Sequence, residues 1–279
     1  MADKSGNTEE DHWDSNIYQS AASFVPKLAT KVLGWLDVKP DDVILDVGCG
    51  DGVLNLQIAE TLSKGNGRIH GIDASPAMIK TSQGDAEKAG VEKICTFELL
   101  DATKIGTKSE LANGTYDKVF SNAAMHWILR PVETRDEFFT GINSALKPGG
   151  IFCFEMGGQG NVAEMRSTFL AVISSRIGIE AARAADPWFF PDEIWMTKAL
   201  EAASFEVVKM EKEYRPTKAD ASGIEGWVKL MGKQFFDAVE EKKGKGEREA
   251  CEKEAVGILK TVCESQVEGG GDWIGALQD

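Results

Sequence analysis

The sequence lacks several features that would place a protein in a membrane or in an export pathway. No stretch of the 279 residues approaches the run of about 18 apolar residues that a membrane-spanning helix needs. The first 25 residues are acidic and polar, without the basic and apolar regions of a signal peptide. We therefore expect a cytoplasmic protein that does not enter a membrane.

Cysteine and histidine are also scarce. There are five cysteines (Cys49, Cys95, Cys153, Cys251 and Cys263) and three histidines (His12, His70 and His126). No two cysteines form a CxxC pair, and no histidine stands near them at zinc-binding spacing. The sequence thus predicts reduced thiols and no metal site.

Positive charge is in short supply, with 31 basic residues against 45 acidic ones and a formal net charge of −14. A surface of this sign repels phosphate backbones, whereas enzymes of nucleic acids usually carry a basic patch. We expect a small-molecule substrate and no nucleic-acid partner, and the oligomeric state stays open. The length and the apolar content of 42% suffice for one catalytic unit with a full core.

The most informative segment is VILDVGCGDGVLNLQIAE, residues 43–60, where an apolar run ends in a glycine-rich turn before an amphipathic stretch. The pattern predicts a strand, a tight loop and a helix. Gly48, Gly50 and Gly52 allow backbone conformations that other residues avoid, and they let a ligand approach the main chain. Free N–H groups at the start of the helix would face that ligand, so the loop predicts a nucleotide site.

The spacing of the glycines bears on which nucleotide binds. A dinucleotide fingerprint reads GxGxxG, but this loop reads GxGxG, and Asp46 at its mouth would repel a pyrophosphate and attract an ammonium group. Asp73, which ends the strand RIHGID about 20 residues further on, can accept hydrogen bonds from ribose hydroxyls. An NAD-dependent oxidoreductase stays open as an alternative, although the spacing and Asp46 argue against it.

The chain resembles the class I methyltransferases that use S-adenosylmethionine. The resemblance rests, in order, on LDVGCGDG (45–52), GIDASPAMI (71–79), LLDATKI (99–105), YDKVFSNAAMHWI (116–128) and LKPGGIFCFEMGG (146–158). It implies a doubly wound, mainly parallel α/β sheet of the Rossmann-like type, with an N-terminal helical cap and a helical lid insertion. We expect a disordered tail over 1–12, the cofactor-binding core with its cap over 13–158, and a lid with C-terminal elements of the same domain over 159–279.

The resemblance also assigns cofactor contacts. Asp46 and the backbone of Gly48, Cys49 and Gly50 would face the methionine part, Asp73 the ribose, Asp101 and the Ala102 N–H the adenine edge, Ala74 and Met78 the ring, and Asn122 the methionine end. From the residues alone, the four polar side chains Asp46, Asp73, Asp101 and Asn122 each follow a predicted strand. Ligands of open α/β sheets bind at the carboxyl ends of the strands, so one crevice receives all four.

The acceptor side is predicted from softer signals. His126, directly after the fourth strand, is the candidate general base, and it is needed only if the methyl acceptor must lose a proton. Within the family, the chain looks like the methyltransferases of trans-aconitate and juvenile hormone acid, which methylate carboxylates. That resemblance implies that Tyr18, Gln19 and His126 orient the substrate, with Tyr18 and His126 as the catalytic pair. The further candidates for substrate contact are Trp13, Trp127 and Trp227, with Arg130, Arg166 and Arg183 as cations for additional carboxylates.

The rest of the chain predicts the frame of this site. Two helices precede the first strand, the second ending near Leu36, and Ser75 and Pro76 begin a helix that ends near Gly90. After residue 158 the pattern predicts helices over 160–182 and 191–203, joined by an aromatic loop above the crevice. A sixth strand is expected over 205–214 and a helix over GIEGWVKLMGKQFF, whereas the C-terminus is short for a seventh strand, which can be frayed, missing or replaced. The function predicted for the whole chain is S-adenosylmethionine-dependent methylation of a carboxylate or hydroxyl oxygen. The short C-terminus leaves a non-catalytic scaffold protein as a further alternative.

Overall fold

The computed structural model describes residues 29–219, 222–264 and 273–278. The predicted tail over 1–12, the first of the two N-terminal helices, and the predicted site residues Trp13, Tyr18 and Gln19 lie outside these ranges.

A five-stranded parallel sheet forms the centre of the molecule, with the strand order β3-β2-β1-β4-β5. Its strands are β1 (Val43–Val47), β2 (Arg68–Asp73), β3 (Cys95–Leu99), β4 (Tyr116–Asn122) and β5 (Leu146–Glu155). The central strand β1 pairs with β2 on one side and β4 on the other. Its apolar residues Ile44, Leu45 and Val47 are fully buried, as expected for a parallel strand covered on both faces. The predicted doubly wound α/β fold is confirmed.

Eleven α-helices occur in the described residues. They are α1 (Thr30–Leu36), α2 (Val53–Leu62), α3 (Pro76–Ala89), α4 (Met125–Ile128), α5 (Arg135–Ala145), α6 (Ala163–Ile177), α7 (Ile179–Ala185), α8 (Glu193–Ala202), α9 (Gly223–Met231), α10 (Lys233–Lys243) and α11 (Glu247–Cys263), with 3₁₀ turns at Ala102–Thr107 and Val132–Thr134. One hydrophobic cluster packs α1, α2 and α3 on one face of the sheet, and a second packs α5 and α8 on the other. None of the helices in these ranges has both the length and the apolar character required to cross a bilayer.

Local signals placed several helices correctly. The Ser75 side chain accepts a hydrogen bond from the Met78 N–H at 3.2 Å, Pro76 is the first residue of α3, and Gly90 ends it with φ +70°. The helix that ends at Leu36 and the helix within 191–203 are likewise confirmed. The helix predicted over 160–182 is instead two helices, because Gly178 adopts φ +82° between α6 and α7.

The helices after β5 build a hydrophobic core of their own. We call α6, α7, α9, α10 and α11 the helical cap; this name does not refer to the cap predicted at the N-terminus. Phe169, Trp227, Phe235 and Phe236 are almost completely buried in this core, together with residues of α11 such as Leu259. The predicted helix over GIEGWVKLMGKQFF is divided at Gly232, where an added Cβ would overlap the Phe236 ring.

The strand predicted over 205–214 is wrong in position. Residues 205–213 form neither helix nor strand, and β6 occupies Tyr214–Lys218. The reason is the strand partner: β6 pairs antiparallel with β7 (Trp273–Gln278) in a separate two-stranded sheet. The short C-terminus therefore does supply a strand, although this strand does not extend the main sheet.

Candidate active site

A cavity of about 500 Å³ opens at the carboxyl ends of the sheet strands and extends to the helical cap. We call its side at the strands the sheet wall, made of Gly48, Gly50, Asp73, Ala74, Met78, Asp101, Ala102 and Asn122. We call the facing apolar side the aromatic wall, made of Trp127, Met165, Trp188, Phe190, Trp227 and Met231. His126 and Asn161 also line the cavity. The size suits a small-molecule site.

The glycine loop between β1 and α2 supplies the floor of the sheet wall. The N–H groups of Gly48 and Cys49 both donate to the Ile72 carbonyl, at 2.9 and 3.0 Å, which ties the loop to β2. Gly48 adopts φ +74°, and a Cβ there would overlap the Ala124 side chain. Gly50 adopts φ +56°, and a Cβ there would project into open space. The loop thus presents bare backbone to the cavity, as a close-fitting ligand requires.

Asp73 at the end of β2 is held in a fixed orientation by backbone donors. Its Oδ2 accepts from the Gly50 N–H at 2.9 Å, and its Oδ1 accepts from the Ser75 N–H at 2.9 Å. A carboxylate oxygen has more than one acceptor direction, so one backbone N–H on each oxygen does not by itself exclude a hydroxyl from the cavity. The carboxylate therefore joins the glycine loop to the start of α3 and is oriented for a vicinal diol.

Asp101 performs a similar role after β3. Its Oδ1 caps the 3₁₀ turn by accepting from the Thr103 N–H at 2.9 Å and the Thr103 hydroxyl at 2.8 Å. The side chain is exposed and lines the cavity beside the buried Ala102. An acceptor and a backbone turn at this position can match the edge of a purine ring.

Asn122 at the end of β4 contributes a buried acceptor. Its Oδ1 atom is buried and has no hydrogen-bond partner among the described residues, and the residue lines the cavity. A buried polar atom without a partner costs free energy unless a ligand satisfies it. An ammonium group would do so, and among the described lining residues the charged groups are Asp73, Asp101, Glu133, Glu155 and a single cation, Lys104. The donor and acceptor set therefore fits S-adenosylmethionine, a cationic nucleoside with an amino acid tail.

Two predicted cofactor residues, Asp46 and Cys49, are not on the lining. Asp46 is only 2% exposed, and its burial together with the nearby Asp73 carboxylate raises its pKa to about 8. Burial also raises the pKa of the Cys49 thiol well above its usual value, so that it stays protonated. The other eight predicted cofactor residues are brought together on the sheet wall.

His126 in α4 lines the cavity, and along the chain it lies between Asn122 of the sheet wall and Trp127 of the aromatic wall. The Gly157 N–H donates to its Nδ1 at 3.3 Å, and its ring contacts Trp127 and Phe190, with centroid distances of 5.6 and 5.4 Å. Burial lowers the pKa of the imidazole to about 3, so the ring is neutral near pH 7. Because Nδ1 accepts a hydrogen bond, the ring proton resides on Nε2. A pKa this low makes the imidazole a weak general base, so the neutral ring is better suited to donate a hydrogen bond through Nε2 than to accept a proton.

The three arginines predicted to bind substrate carboxylates do not line the cavity. Arg130 donates to the backbone carbonyls of Asp186 and Ala184, and Arg166 forms an ion pair with the Asp186 carboxylate at 2.7 Å. Arg183 pairs with Glu180 on α7 at 3.1 Å. The sequence offered them only as cations available to a substrate with several carboxylates, because it shows that an arginine is present but not which carboxylate or carbonyl it meets.

The predicted substrate residues Trp127 and Trp227 do line the cavity. The aromatic loop also contributes Trp188 and Phe190, in agreement with the prediction that it lies over the crevice. Asn161, Met165 and Met231 also line the cavity, and no sequence signal marked them. Nothing in a helical sequence separates a methionine that lines a cavity from one that fills a core.

Comparisons with known proteins give the family. Residues 38–186, just over half of the chain, match the family model described as a methyltransferase domain. An uncharacterized methyltransferase of Schizosaccharomyces pombe is 36% identical over 231 residues, 82% of this chain and 84% of that protein. A malonyl-[acyl-carrier protein] O-methyltransferase of Halalkalibacterium halodurans is 26% identical over 215 residues, 70% of this chain and 76% of that protein.

Solved structures agree on the fold. A SAM-dependent methyltransferase of Geobacter sulfurreducens, crystallised with S-adenosyl-L-homocysteine, superposes with a TM-score of 0.52 at 17% identity, covering 88% of this chain and 92% of that chain. The oxidoreductase and scaffold alternatives give way to these findings. The chain belongs to the class I methyltransferases, and it is an S-adenosylmethionine-dependent enzyme.

Proposed function

We propose that the protein methylates a carboxylate oxygen of a small organic acid. The observation that carries the proposal is the neutral state of His126 with its proton on Nε2. In the described part of the chain this N–H has no partner, and the residue lines the cavity. A donor at that place matches an acceptor oxygen, whereas an ammonium group has no lone pair to offer it.

The chemistry agrees with an enzyme that needs no base. S-adenosylmethionine, when bound, supplies a sulfonium with an electrophilic methyl group. A carboxylate is already a nucleophile at neutral pH, so no residue has to remove a proton from it, whereas a hydroxyl would require a general base. The task of the protein is to orient the acceptor and exclude water, and orientation of this kind can contribute roughly 7 to 11 kcal/mol.

The cofactor assignment on the sheet wall is part of the proposal. Asp73 would hold the ribose hydroxyls, Asp101 and the Ala102 N–H the adenine edge, and Ala74 and Met78 the ring faces. Asn122 and the backbone of Gly48, Cys49 and Gly50 would meet the methionine end, with Asp46 acting from beneath the loop. The support comes from the open space at Gly50 and the buried acceptor on Asn122.

Two further considerations support an oxygen of a small acid. The relative from H. halodurans is named for O-methylation of a malonyl group on acyl-carrier protein. The net charge of −14 disfavours nucleic-acid substrates. The finer resemblance to trans-aconitate and juvenile-hormone-acid methyltransferases, with contributions from Trp13, Tyr18 and Gln19, remains a proposal, as does the cytoplasmic location.

The test is methyl transfer from S-adenosylmethionine labelled in its methyl group to a panel of organic acids, each paired with its primary amide and its alcohol. The expected product is a methyl ester, which releases labelled methanol on mild alkaline treatment. Methyl ethers and N-methyl amines keep their label under that treatment. Alkali-stable label, or transfer to the alcohols in preference to the acids, would overturn the proposal.

A further inference from the structure

We propose that the acceptor side of the cavity is built for a monocarboxylic acid with an apolar body and that it disfavours acids with two or three carboxylates. This inference rests on the proposed function, because it names the substrate class of the same site.

The aromatic wall offers no charge to a second carboxylate. Trp188 and Trp227 are 4% and 2% exposed, and the wall is completed by Trp127, Phe190 and two methionines. Burying a carboxylate against such a surface without a cation to neutralise it costs several kcal/mol in free energy. An alkyl or aryl group is favoured there, since it exchanges water for apolar contacts.

Charge elsewhere on the lining works in the same direction. Lys104 is the one cation among the described lining residues, and it lies in the 3₁₀ turn directly after Asp101, at the proposed adenine end. Glu133 also lines the cavity, so a second carboxylate near it would meet a like charge. The first carboxylate has the Nε2–H of His126 to accept from.

Arg130 and Arg166, which lie near the aromatic loop, both bind Asp186 in that loop. Arg166 binds the Asp186 carboxylate and Arg130 binds its backbone carbonyl, while Asp186 itself is 5% exposed. The other oxygen of Asp186 accepts from the Trp188 N–H at 3.1 Å, and the Phe189 N–H donates to the His126 carbonyl at 2.9 Å. Withdrawing Arg166 to neutralise a second carboxylate would leave the buried Asp186 carboxylate without its cation.

The aromatic wall is consequently preformed. Trp188 stacks on Phe190 at a centroid distance of 5.7 Å and meets Trp127 edge-on at 5.6 Å. Rings fixed by one another and by the Asp186 hydrogen bonds select substrates by shape and polarity before binding. The aromatic wall therefore limits which methyl acceptors can bind.

The experiment compares matched acids that differ by one carboxylate. Octanoate is paired with octanedioate, and phenylacetate with its para-carboxy derivative, and binding to protein saturated with S-adenosylhomocysteine is measured by calorimetry and tryptophan fluorescence. We expect each monoacid to bind at least about tenfold more tightly than its diacid. Methyl transfer to the same acids should rank in the same order.

A change of charge in the wall gives the second arm. Met231→Lys adds a cation at the end of α9, and Met231→Gln is its uncharged control of similar length. The lysine variant should reduce the preference for monoacids by about tenfold, whereas the glutamine variant should not. Equal or tighter binding of the diacids to the wild-type protein overturns the inference and leaves the proposed function standing. If S-adenosylhomocysteine binds but neither class of acid binds or is methylated, the proposed function fails and the inference fails with it.

Discussion

At the scale of single residues, the two nitrogens of His126 have different environments. Nδ1 is occupied by the Gly157 N–H at 3.3 Å, and this contact decides which nitrogen carries the proton. Burial then keeps the ring neutral, with a pKa of about 3. The result is a fixed hydrogen-bond donor and not a titrating base, so the contribution of His126 to catalysis should not change across the physiological pH range.

A pair of variants tests that role. His126→Phe keeps a ring and removes the donor, and it should lower kcat/KM by roughly tenfold to a hundredfold, the range of a hydrogen bond to a charged group. His126→Gln restores an amide donor and should recover part of the loss. The affinity for S-adenosylhomocysteine should stay nearly unchanged in both. In steady-state kinetics from about pH 5 to about pH 8, the pH profiles of the wild-type protein and the phenylalanine variant should have the same shape, because His126 does not titrate in this range. Lost cofactor affinity with intact turnover would contradict the assignment.

The carboxylates of the sheet wall make a second residue-scale prediction. Asp73→Ala and Asp101→Ala should each weaken cofactor binding by about 1 to 3 kcal/mol through lost charge-assisted hydrogen bonds. The loss at Asp73 should be the larger, because its carboxylate also holds the glycine loop through the Gly50 N–H, whereas Asp101 caps only its own turn. Calorimetry with S-adenosylhomocysteine measures both. Asp85→Ala on α3, away from the cavity lining, is the control, and unchanged affinity in both test variants would refute the ribose and adenine assignments.

At the scale of elements, the glycine loop and the turn after β4 are in direct contact. A Cβ at Gly48 would overlap Ala124, and Ala123 before it adopts φ +55°, which is unusual for a residue with a side chain. The two segments that border the proposed methionine end therefore fix each other. Such strained positions persist where the surrounding structure enforces them, and they concentrate at functional sites.

Two alanine substitutions separate strain from overlap. Gly50→Ala carries only the cost of positive φ, about 1 to 2 kcal/mol. Gly48→Ala adds the overlap with Ala124 and should lower the free energy of unfolding by roughly 1 to 3 kcal/mol more. Denaturant unfolding measures the difference. The Gly50 variant should still weaken cofactor binding, because its methyl group enters the open space of the cavity. Equal destabilisation by the two variants would argue against the contact.

Elements whose signals are local were predictable, and those that depend on a distant partner were not. Helix α3 was placed by Ser75, Pro76 and Gly90, which act within their own turns. The parallel strands and the acids at their ends follow from the apolar runs and their order. Strand β6 was displaced because its bounds depend on β7, more than fifty residues later in the chain. The state of His126 depends on the Gly157 N–H, which no pattern around His126 indicates.

At the scale of the whole molecule, the cavity joins two cores with different tasks. Met165, Trp188, Phe190 and Trp227 belong to the core of the helical cap and also line the cavity. The glycine loop and the strand-end acids belong to the sheet. Substitutions in the cap core can therefore alter the acceptor site while the cofactor residues stay in place. The sheet side, in turn, contains a buried acid that does not favour folding.

That acid, Asp46, should make the stability of the protein depend on pH. Its pKa is raised to about 8 in the folded chain, against about 3.9 in an unfolded one. Between these values the folded protein holds a proton that the unfolded chain has released, so stability falls as the pH rises through this window. The slope is at most about 1.4 kcal/mol per pH unit, with no effect below the unfolded value.

Asp46→Asn replaces the carboxyl with a neutral group of the same shape and should remove this pH dependence. In urea unfolding of the cofactor-free protein, the variant should gain stability relative to the wild type steadily as the pH rises from about 5 to about 8. His126 acts in another window: its pKa lies below the unfolded value, so its neutral state loses stability as the pH falls from about 6.5 towards 3. Because Asp46→Asn leaves that contribution intact, the two curves should separate only as the pH rises. Parallel curves from about pH 5 to about pH 8 would mean that Asp46 is already ionised in the folded protein.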